Sequence, residues 1–144
     1  MTIGAKITEA LAAYLEASGV DAECQAALTA NLNEEGETRI VCVHSSSTER
    51  QSLRGVYDVS GEAHVLTSID LENAIATHLR LCNLVRNLIG DTEACANGVM
   101  NQNPEIHIYS RSWRCGDLQD DAGNRGYKST FIWRAVARDT PSTD

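Results

Sequence analysis

Aromatic residues, prolines and lysines are scarce in this chain. Phe, Trp and Tyr make up 5% of its 144 residues, and there are two prolines and two lysines. Aliphatic side chains must therefore build the core, and a hydrophobic content of 42% is typical of a globular domain. A chain of this length can bury a core without disulfide or metal staples, so a single domain is the simplest expectation.

Several catalytic and export signatures are also missing. No GxSxG, HExxH, Walker-type or Rossmann glycine pattern occurs, which removes the common sequence evidence for hydrolase, zincin and nucleotide-binding chemistry. Five cysteines without a CxxC pair fit free thiols in a reducing cytoplasm better than a secreted disulfide scaffold. The first 16 residues include Lys6 and Glu9, so we expect neither a signal peptide nor a membrane span there.

Basic residues are outnumbered, and the imbalance is uneven. The formal charge is −8; residues 1–72 hold four Lys/Arg and twelve Asp/Glu, whereas residues 73–144 hold eight of each. An acidic half argues against tight binding to nucleic-acid phosphates, although DNA could pass nearby without sticking. Ten of the twelve bases are Arg, which suits planar contacts shared across an interface. Coding bias in a GC-rich genome is the alternative explanation.

Hydrophobic periodicity predicts an alternation of helices and strands. Helices are expected at Thr2–Ser18, Ala22–Leu32 (capped by Asp21), Asp70–Leu88 (capped by Asp70) and Thr92–Met100. Strands are expected at Arg39–His44, 54–65, Glu105–Ser110 and Tyr127–Arg138. Turns or polar loops are expected at 33–36, 44–52 and 111–126. This order predicts the α+β class, with a mainly antiparallel four-stranded sheet and helices packed on one face. We expect one domain over residues 1–138 and a disordered tail over 139–144.

Apolar and polar side chains alternate almost residue by residue in the stretch 54–65. Tyr57, Val59, Ala63 and Val65 would face the core, and Asp58, Ser60, Glu62 and His64 would face solvent. Gly55 and Gly61 are candidates for a bulge or bend. The long helix that follows carries one apolar stripe expected to pack on this strand and on Phe131 and Trp133; its members are Leu71, Ile75, His78, Cys82, Val85 and Ile89.

Candidate reactive groups each have a simpler structural explanation. Cys42 and His44 share a strand face and could begin a metal site, but nothing else with ligand spacing is near them. His78 lies on an apolar stripe, so a core or interface histidine is the better interpretation; His64 and His107 are expected to be solvated. Cys115, without a neighbouring His, is expected to be a buried small residue.

The loop around Asp117, Asp120, Asp121 and Asn124 has some features of a cation site. It lacks the alternating Asp/Asn pattern and the distal Glu of an EF-hand, so a solvated turn is favoured over a weak Mg²⁺ or Ca²⁺ site.

Three features together resemble the tail terminator proteins of long-tailed bacteriophages. They are an amphipathic N-terminal helix (Ile7, Leu11, Tyr14), the alternating segment RGVYDVSGEAHVLTSID at 54–70, and the closing strand FIWRAVARD at 131–139. The likeness covers roughly residues 5–138. It lies in the order of the helices and strands and in the alternation of polar and apolar residues along the strands. The helix expected at Ala22–Leu32 and the cysteine content depart from it.

The resemblance implies a virion structural protein. Such proteins form a ring, usually of six subunits, on the finished tail tube, where they stop its growth and meet the connector of the head. The implied partners are other copies of the chain, the major tail tube protein and the head–tail connector, with DNA passing through the lumen and no membrane. The implied location is the head-proximal end of the tail, after assembly in the host cytoplasm. No catalytic, cofactor or metal residues are expected. The expected interface residues are Arg50, Arg54, Glu62, Asp117, Asp120, Asp121, Arg125, Arg134 and Arg138.

Two other classes remain open at this point. One is a head-side neck or closure protein with the same composition. The other is a small cytoplasmic enzyme or metal-binding domain that uses Cys42 and His44 or the 117–121 loop.

Overall fold

The computed structural model describes residues 2–27, 38–68, 72–116, 119–123 and 126–140. In these ranges the helices are α1 (Ile3–Ala17), α2 (Ala74–Ile89) and α3 (Thr92–Gln102). The strands are β1 (Glu23–Ala27), β2 (Thr38–Arg50), β3 (Leu53–Ser68), β4 (Ile106–Ile108), β5 (Arg114–Cys115), β6 (Gln119–Gly123) and β7 (Gly126–Asp139).

The strands form one mixed sheet in the order β1-β2-β3-β7-β4, with β5 and β6 also paired to β7. Only β1 runs parallel to its neighbour; the other described pairings are antiparallel. The predicted α+β class is confirmed, whereas the four-stranded sheet is wrong. The additional strands come from a segment predicted as a helix and from one predicted as a loop.

The helix predicted at Ala22–Leu32 is wrong in its first half. Residues Glu23–Ala27 are β1, which pairs with β2 so that Cys24 lies beside Ile40 in the core. Its two alanines favour a helix locally, but pairing with a neighbouring strand outweighs this weak propensity. Residues 28–32, and the turn expected at 33–36, lie outside the described residues.

Strands β2 and β3 form a hairpin much longer than predicted. Residues 44–50, expected in a polar loop, continue β2 and pair with β3 as far as Arg50 opposite Leu53. The register shifts between His44 and Ser46, across from Gly61, and again beside Arg50. Gly55 adopts the left-handed conformation (φ 81°), which favours glycine. Both glycines therefore mark irregularities, as the sequence suggested.

The helices pack on one face of the sheet, the inner face. The inner residues of β3 and β7 alternate as predicted, and Val59, Ala63, Val65, Phe131 and Trp133 share one core with side chains of all three helices. Tyr57 is half-buried against this core. The opposite, outer face is mostly polar. His64 lies on the outer face but is buried, so the prediction that it is solvated is wrong; His107 is exposed as predicted.

Helix α2 begins later than predicted and presents a different stripe. It starts at Ala74 after Asn73, whose backbone is left-handed (φ 58°) and whose side chain makes no capping bond. The buried residues of α2 are Ala74, His78, Leu81, Cys82, Val85 and Ile89, while Ile75 is 60% exposed. The prediction for Ile75 is therefore wrong, and that for His78 as a core histidine is confirmed. Asp70 and Leu71 lie outside the described residues.

Ion pairs connect helix α1 to the last residue of β7 and to the residue that precedes β4. Thr2 caps its first turn, and Gly19, with φ 85°, follows its end as predicted. The Lys6 ammonium lies 2.8 Å from Asp139 and 3.4 Å from Glu105, and the hydrogen bond to Asp139 is the main reason that the pKa of Lys6 is raised. Asp139, expected to open a disordered tail, instead ends β7.

The segment between β4 and β7, predicted as one long polar loop, contains β5, β6 and a buried tryptophan. Trp113 stacks on Trp133 with ring centroids 5.2 Å apart and planes 7° from parallel. Its indole nitrogen donates to the Ile89 carbonyl at the end of α2 (2.9 Å). The polar surroundings of Trp113 in the sequence concealed its role in the core.

In the described part of the chain, no helix has both the length and the apolar character that crossing a membrane requires.

The burial of α2 predicts opposite outcomes for two aspartate substitutions on one helix. Val85→Asp places a carboxylate in the core, so we expect the free energy of unfolding to fall by about 3 kcal/mol or more. Ile75→Asp, on the exposed side, should change it by about 0.5 kcal/mol or less. Chemical denaturation at dilute protein concentration measures both. Equal losses in the two variants would show that the register of α2 is wrong.

Candidate functional site

The predicted interface residues are distributed over three regions of the sheet. Arg50 and Arg54 lie at the turn joining β2 and β3, and Arg134 and Arg138 are exposed on the outer face of β7. Glu62, on the outer face of β3 opposite Ile132, lies farther from this turn than Arg134. Asp120 and Asp121 belong to β6, at the opposite end of β7 from Arg138. Asp117 and Arg125 lie outside the described residues. Arg50, Arg54 and Arg138 therefore lie toward one end of the sheet and the β6 acids toward the other, with Arg134 between them.

The first region is the hairpin tip, residues 49–55. Arg50 donates to Asp58 through Nη2 (3.0 Å to Oδ1) and Nε (3.2 Å to Oδ2), and this hydrogen bond raises the pKa of the guanidinium. The Glu49 carboxylate accepts from the Gly55 amide (3.2 Å) and, by its charge, raises the pKa of Tyr57. These contacts hold the tip from both strands. Arg50 therefore already forms an ion pair within its own subunit.

The exposed side chains of the hairpin tip include one large apolar residue and one base that forms no ion pair with a described carboxylate. Leu53 is 51% exposed, and Arg54 is exposed and forms no ion pair with any described carboxylate. An apolar side chain in a turn of otherwise polar residues was a sequence signal that the analysis of charge alone missed.

The second region is the outer arginine row: Arg114, Arg134 and Arg138. Arg114 lies directly opposite Arg134 across the β5–β7 pair, and His107 lies opposite Arg138. Like charges facing each other across a strand pair are destabilising unless something neutralises them. No described carboxylate forms an ion pair with any of the three arginines. Beside the row, Ser46, Thr48, Asp58, Ser60, Ser112 and Arg134 line a polar hollow of about 450 Å³.

The third region is the α2 cleft, a hollow of about 230 Å³ between α2 and β7. It is lined by Ile75, His78, Leu79, Asp120, Tyr127, Lys128 and Ser129. Ile75 and Leu79, on successive turns, are 60% and 58% exposed, and with Leu53 they are the large apolar side chains that the described chain leaves exposed. Asp120, at the rim, is exposed as well.

A chain of hydrogen bonds forms the floor of the α2 cleft. Thr67 Oγ1 lies 2.9 Å from His78 Nδ1, His78 Nε2 lies 2.7 Å from Ser129 Oγ, and Ser129 donates to Asp120 Oδ1 at 2.5 Å. Because the Ser129 proton goes to Asp120, Nε2–H must donate to Ser129, and because burial lowers the pKa of His78, the ring is neutral at pH 7 and Nδ1 accepts from Thr67. His78 is then neutral and has no free lone pair with which to activate Ser129.

This hydrogen-bond chain therefore acts as a polar brace. It joins α2 to β3, β7 and β6 and satisfies buried groups that would otherwise cost stability. Ser129 is 1% exposed, which removes it from the reach of a substrate. The arrangement holds α2 in place, and the exposed residues above it are what a partner would meet.

Burial favours the neutral form of both interior histidines. The pKa of His78 is lowered mainly by burial, against an opposing effect of Asp120. The pKa of His64 is lowered by burial and by the charge of Lys128, against Glu62, whose carboxylate lies 2.8 Å from His64 Nε2. His64 also hydrogen-bonds Thr130 (2.8 Å), which fixes the ring on the outer face.

The cysteines are unsuited to nucleophilic chemistry. Burial raises the pKa of all five thiols, that of Cys24 to about 11, whereas a reactive thiol needs a lowered pKa. Cys42 is fully buried, and His44 hydrogen-bonds Ser47 (2.8 Å). Within the residues that the structure describes, no three His, Cys, Asp or Glu side chains are grouped so that they could hold a metal ion.

In comparisons with known proteins, the chain matches no protein-family model and no curated protein.

The lowered histidine pKa values predict how stability depends on pH. Below about pH 6.5, unfolded histidines bind protons that folded His64 and His78 do not, so protonation favours the unfolded state. The free energy of unfolding should be highest above this pH and fall as the pH drops toward about 5, with a slope of at most about 1.4 kcal/mol per pH unit for each histidine. Denaturant titrations across this range provide the measurement.

The two histidines can be separated by substitution. His78→Gln and His64→Gln should each reduce the slope, whatever their effect on absolute stability. A slope unchanged in both variants would mean that neither histidine is responsible.

Proposed function

We propose that this protein is a virion structural protein, a tail terminator that forms a ring on the tail tube of a long-tailed phage and joins it to the head connector. The observation that carries the proposal is the outer arginine row. Arg114 and Arg134 face each other, exposed and without a described acidic partner, in a protein with a formal charge of −8. Such an arrangement is stabilised when acidic groups of another protein cover it.

The element order adds support. An N-terminal helix, a long alternating hairpin, a long helix and a closing strand occur in the order on which the resemblance rests. The remaining exposed features are also those of an assembly subunit: a braced hairpin tip, an exposed apolar pair on α2, and charge separated along the sheet.

In the proposed ring, other copies of the chain, the major tail tube protein and the head connector cover these surfaces. In this proposal acidic side chains line the lumen, which lets DNA pass without binding phosphates. The protein performs no catalysis in this proposal, and its place is the head-proximal end of the tail.

The first test is the mass of the purified protein together with the phenotype of a phage that lacks the gene. A ring-sized oligomer in light scattering, and overlong tails without heads in electron micrographs of lysates, are the expected results. Filled but leaking heads would identify a head-side neck protein instead. A stable monomer at all concentrations, with normal tails in the mutant, would overturn the proposal.

The arginine row predicts that one substitution strengthens the subunit and weakens the assembly. Arg134→Glu replaces a repulsive cross-strand pair by an attractive one with Arg114, so the monomer should gain about 0.2–1 kcal/mol in stability. Attachment to the acidic partner should be lost, because a desolvated pair broken from one side costs about 2–5 kcal/mol.

Denaturation of the monomer and attachment to purified tail tubes across a salt series measure the two effects. Arg86→Glu, an equal change of charge at an exposed position on α2, is the control and should still attach. Full attachment by Arg134→Glu would exclude the arginine row as the contact.

A further inference from the structure

The structure leaves exposed apolar side chains at two places, and these places lie at opposite ends of one strand. Leu53 opens β3, whereas Thr67, near its end, hydrogen-bonds His78 at the floor of the α2 cleft. Since β3 is 16 residues long, the hairpin tip and the α2 cleft are separated by about 50 Å. One subunit therefore cannot bring its own tip into its own cleft.

We infer that the hairpin tip of one copy docks in the α2 cleft of the next copy, with Leu53 between Ile75 and Leu79 and Arg54 beside Asp120. This inference rests on the proposed ring and names its subunit contact. The tip offers an apolar side chain next to a base that pairs with no described carboxylate, and the cleft offers an apolar pair next to an exposed acid.

Both partners of this contact are held in place before they meet. The tip is braced by Arg50–Asp58 and Glu49–Gly55, and the acid of the cleft is oriented by Ser129. Preorganised groups lose little conformational entropy on binding, so a small apolar contact with one charge pair is sufficient to select a register. Lys128, which also lines the cleft, would repel an arginine placed on its side, so Arg54 is directed toward Asp120.

The relative orientation of the copies decides the kind of assembly. When successive copies point the same way, the tip-to-cleft contact is heterologous and each subunit makes it twice, once with each neighbour, whereas two antiparallel copies would make it twice with each other and form a dimer. The proposed ring requires the heterologous arrangement, whose repetition gives a closed ring or an open filament.

Cysteine cross-linking tests the contact directly. In a Cys115→Ser background, which removes the most exposed of the five cysteines, Leu53→Cys and Leu79→Cys are prepared as separate variants. Mixed under mild oxidation, they should form a disulfide-linked heterodimer, whereas each alone should not cross-link. The double variant should give a ladder that extends beyond dimers. Glu93→Cys, exposed on α3, replaces Leu79→Cys in the matched control and should give no product.

Light scattering on two further variants distinguishes a failure of the proposed contact from a failure of the proposed ring. Leu53→Asp should weaken self-association by about tenfold to a hundredfold, while Leu53→Met, which keeps the apolar contact, should assemble like the wild type. If the wild type forms a ring and Leu53→Asp does so equally well without specific cross-links, the contact is wrong and the ring stands on other surfaces. Cross-linking that stops at dimers overturns the heterologous contact. A wild type that never associates overturns the proposed ring and the contact together.

Discussion

The rest of the structure depends on β7 being paired along both of its edges. One edge pairs with β3 from Gly126 to Arg138, and the other holds the three short strands β4, β5 and β6 in turn. At its middle, Trp133 stacks on Trp113, whose indole nitrogen caps the end of α2 at Ile89. The segment between β4 and β7, which the sequence predicts to be a loop, is thereby joined to the sheet and to α2. The arrangement leaves the Trp133 indole nitrogen buried without a described partner, a cost of about 1–3 kcal/mol that the stacked rings and their buried area offset.

Long paired strands place the hairpin tip and the α2 cleft at opposite ends of the sheet, with the Arg114–Arg134 pair between them. Inner side chains of β3 and β7 are buried, and near one end of these strands the Thr67–His78–Ser129–Asp120 brace satisfies buried polar groups. At the ends, the hairpin continues beyond the core and β6 carries acids on its own short strand. The two ends of the sheet therefore differ in character, the hairpin tip carrying arginines and β6 carrying aspartates.

Period-two alternation was sufficient to predict the faces of β3 and β7, because each residue reports its own burial. It failed where structure depends on distant partners. β1 is a strand because β2 offers an edge, residues 44–50 are a strand because β3 continues beside them, and Ile75 is exposed because the buried stripe of α2 runs through Ala74, His78 and Leu81. In the candidate site, too, the exposure of single residues could be predicted from the sequence, whereas contacts between distant residues could not. The exposure of Arg54, Arg134 and Arg138 could be predicted, but the pairing of Arg50 with Asp58 and the position of Arg114 opposite Arg134 arise only from strand register.

The edges of the sheet restrict how copies of this chain can associate. Edge strands invite backbone pairing between molecules unless they are short, interrupted or charged. The edge beyond β7 has all three properties, since it consists of three strands of two to five residues that carry Arg114 and Asp120. At the other edge β1 has five residues and begins with an exposed glutamate. Continuous strand addition is disfavoured at both, so association must use side chains on the faces and ends. The arginine row, the hairpin tip and the α2 cleft are the described surfaces that offer such side chains.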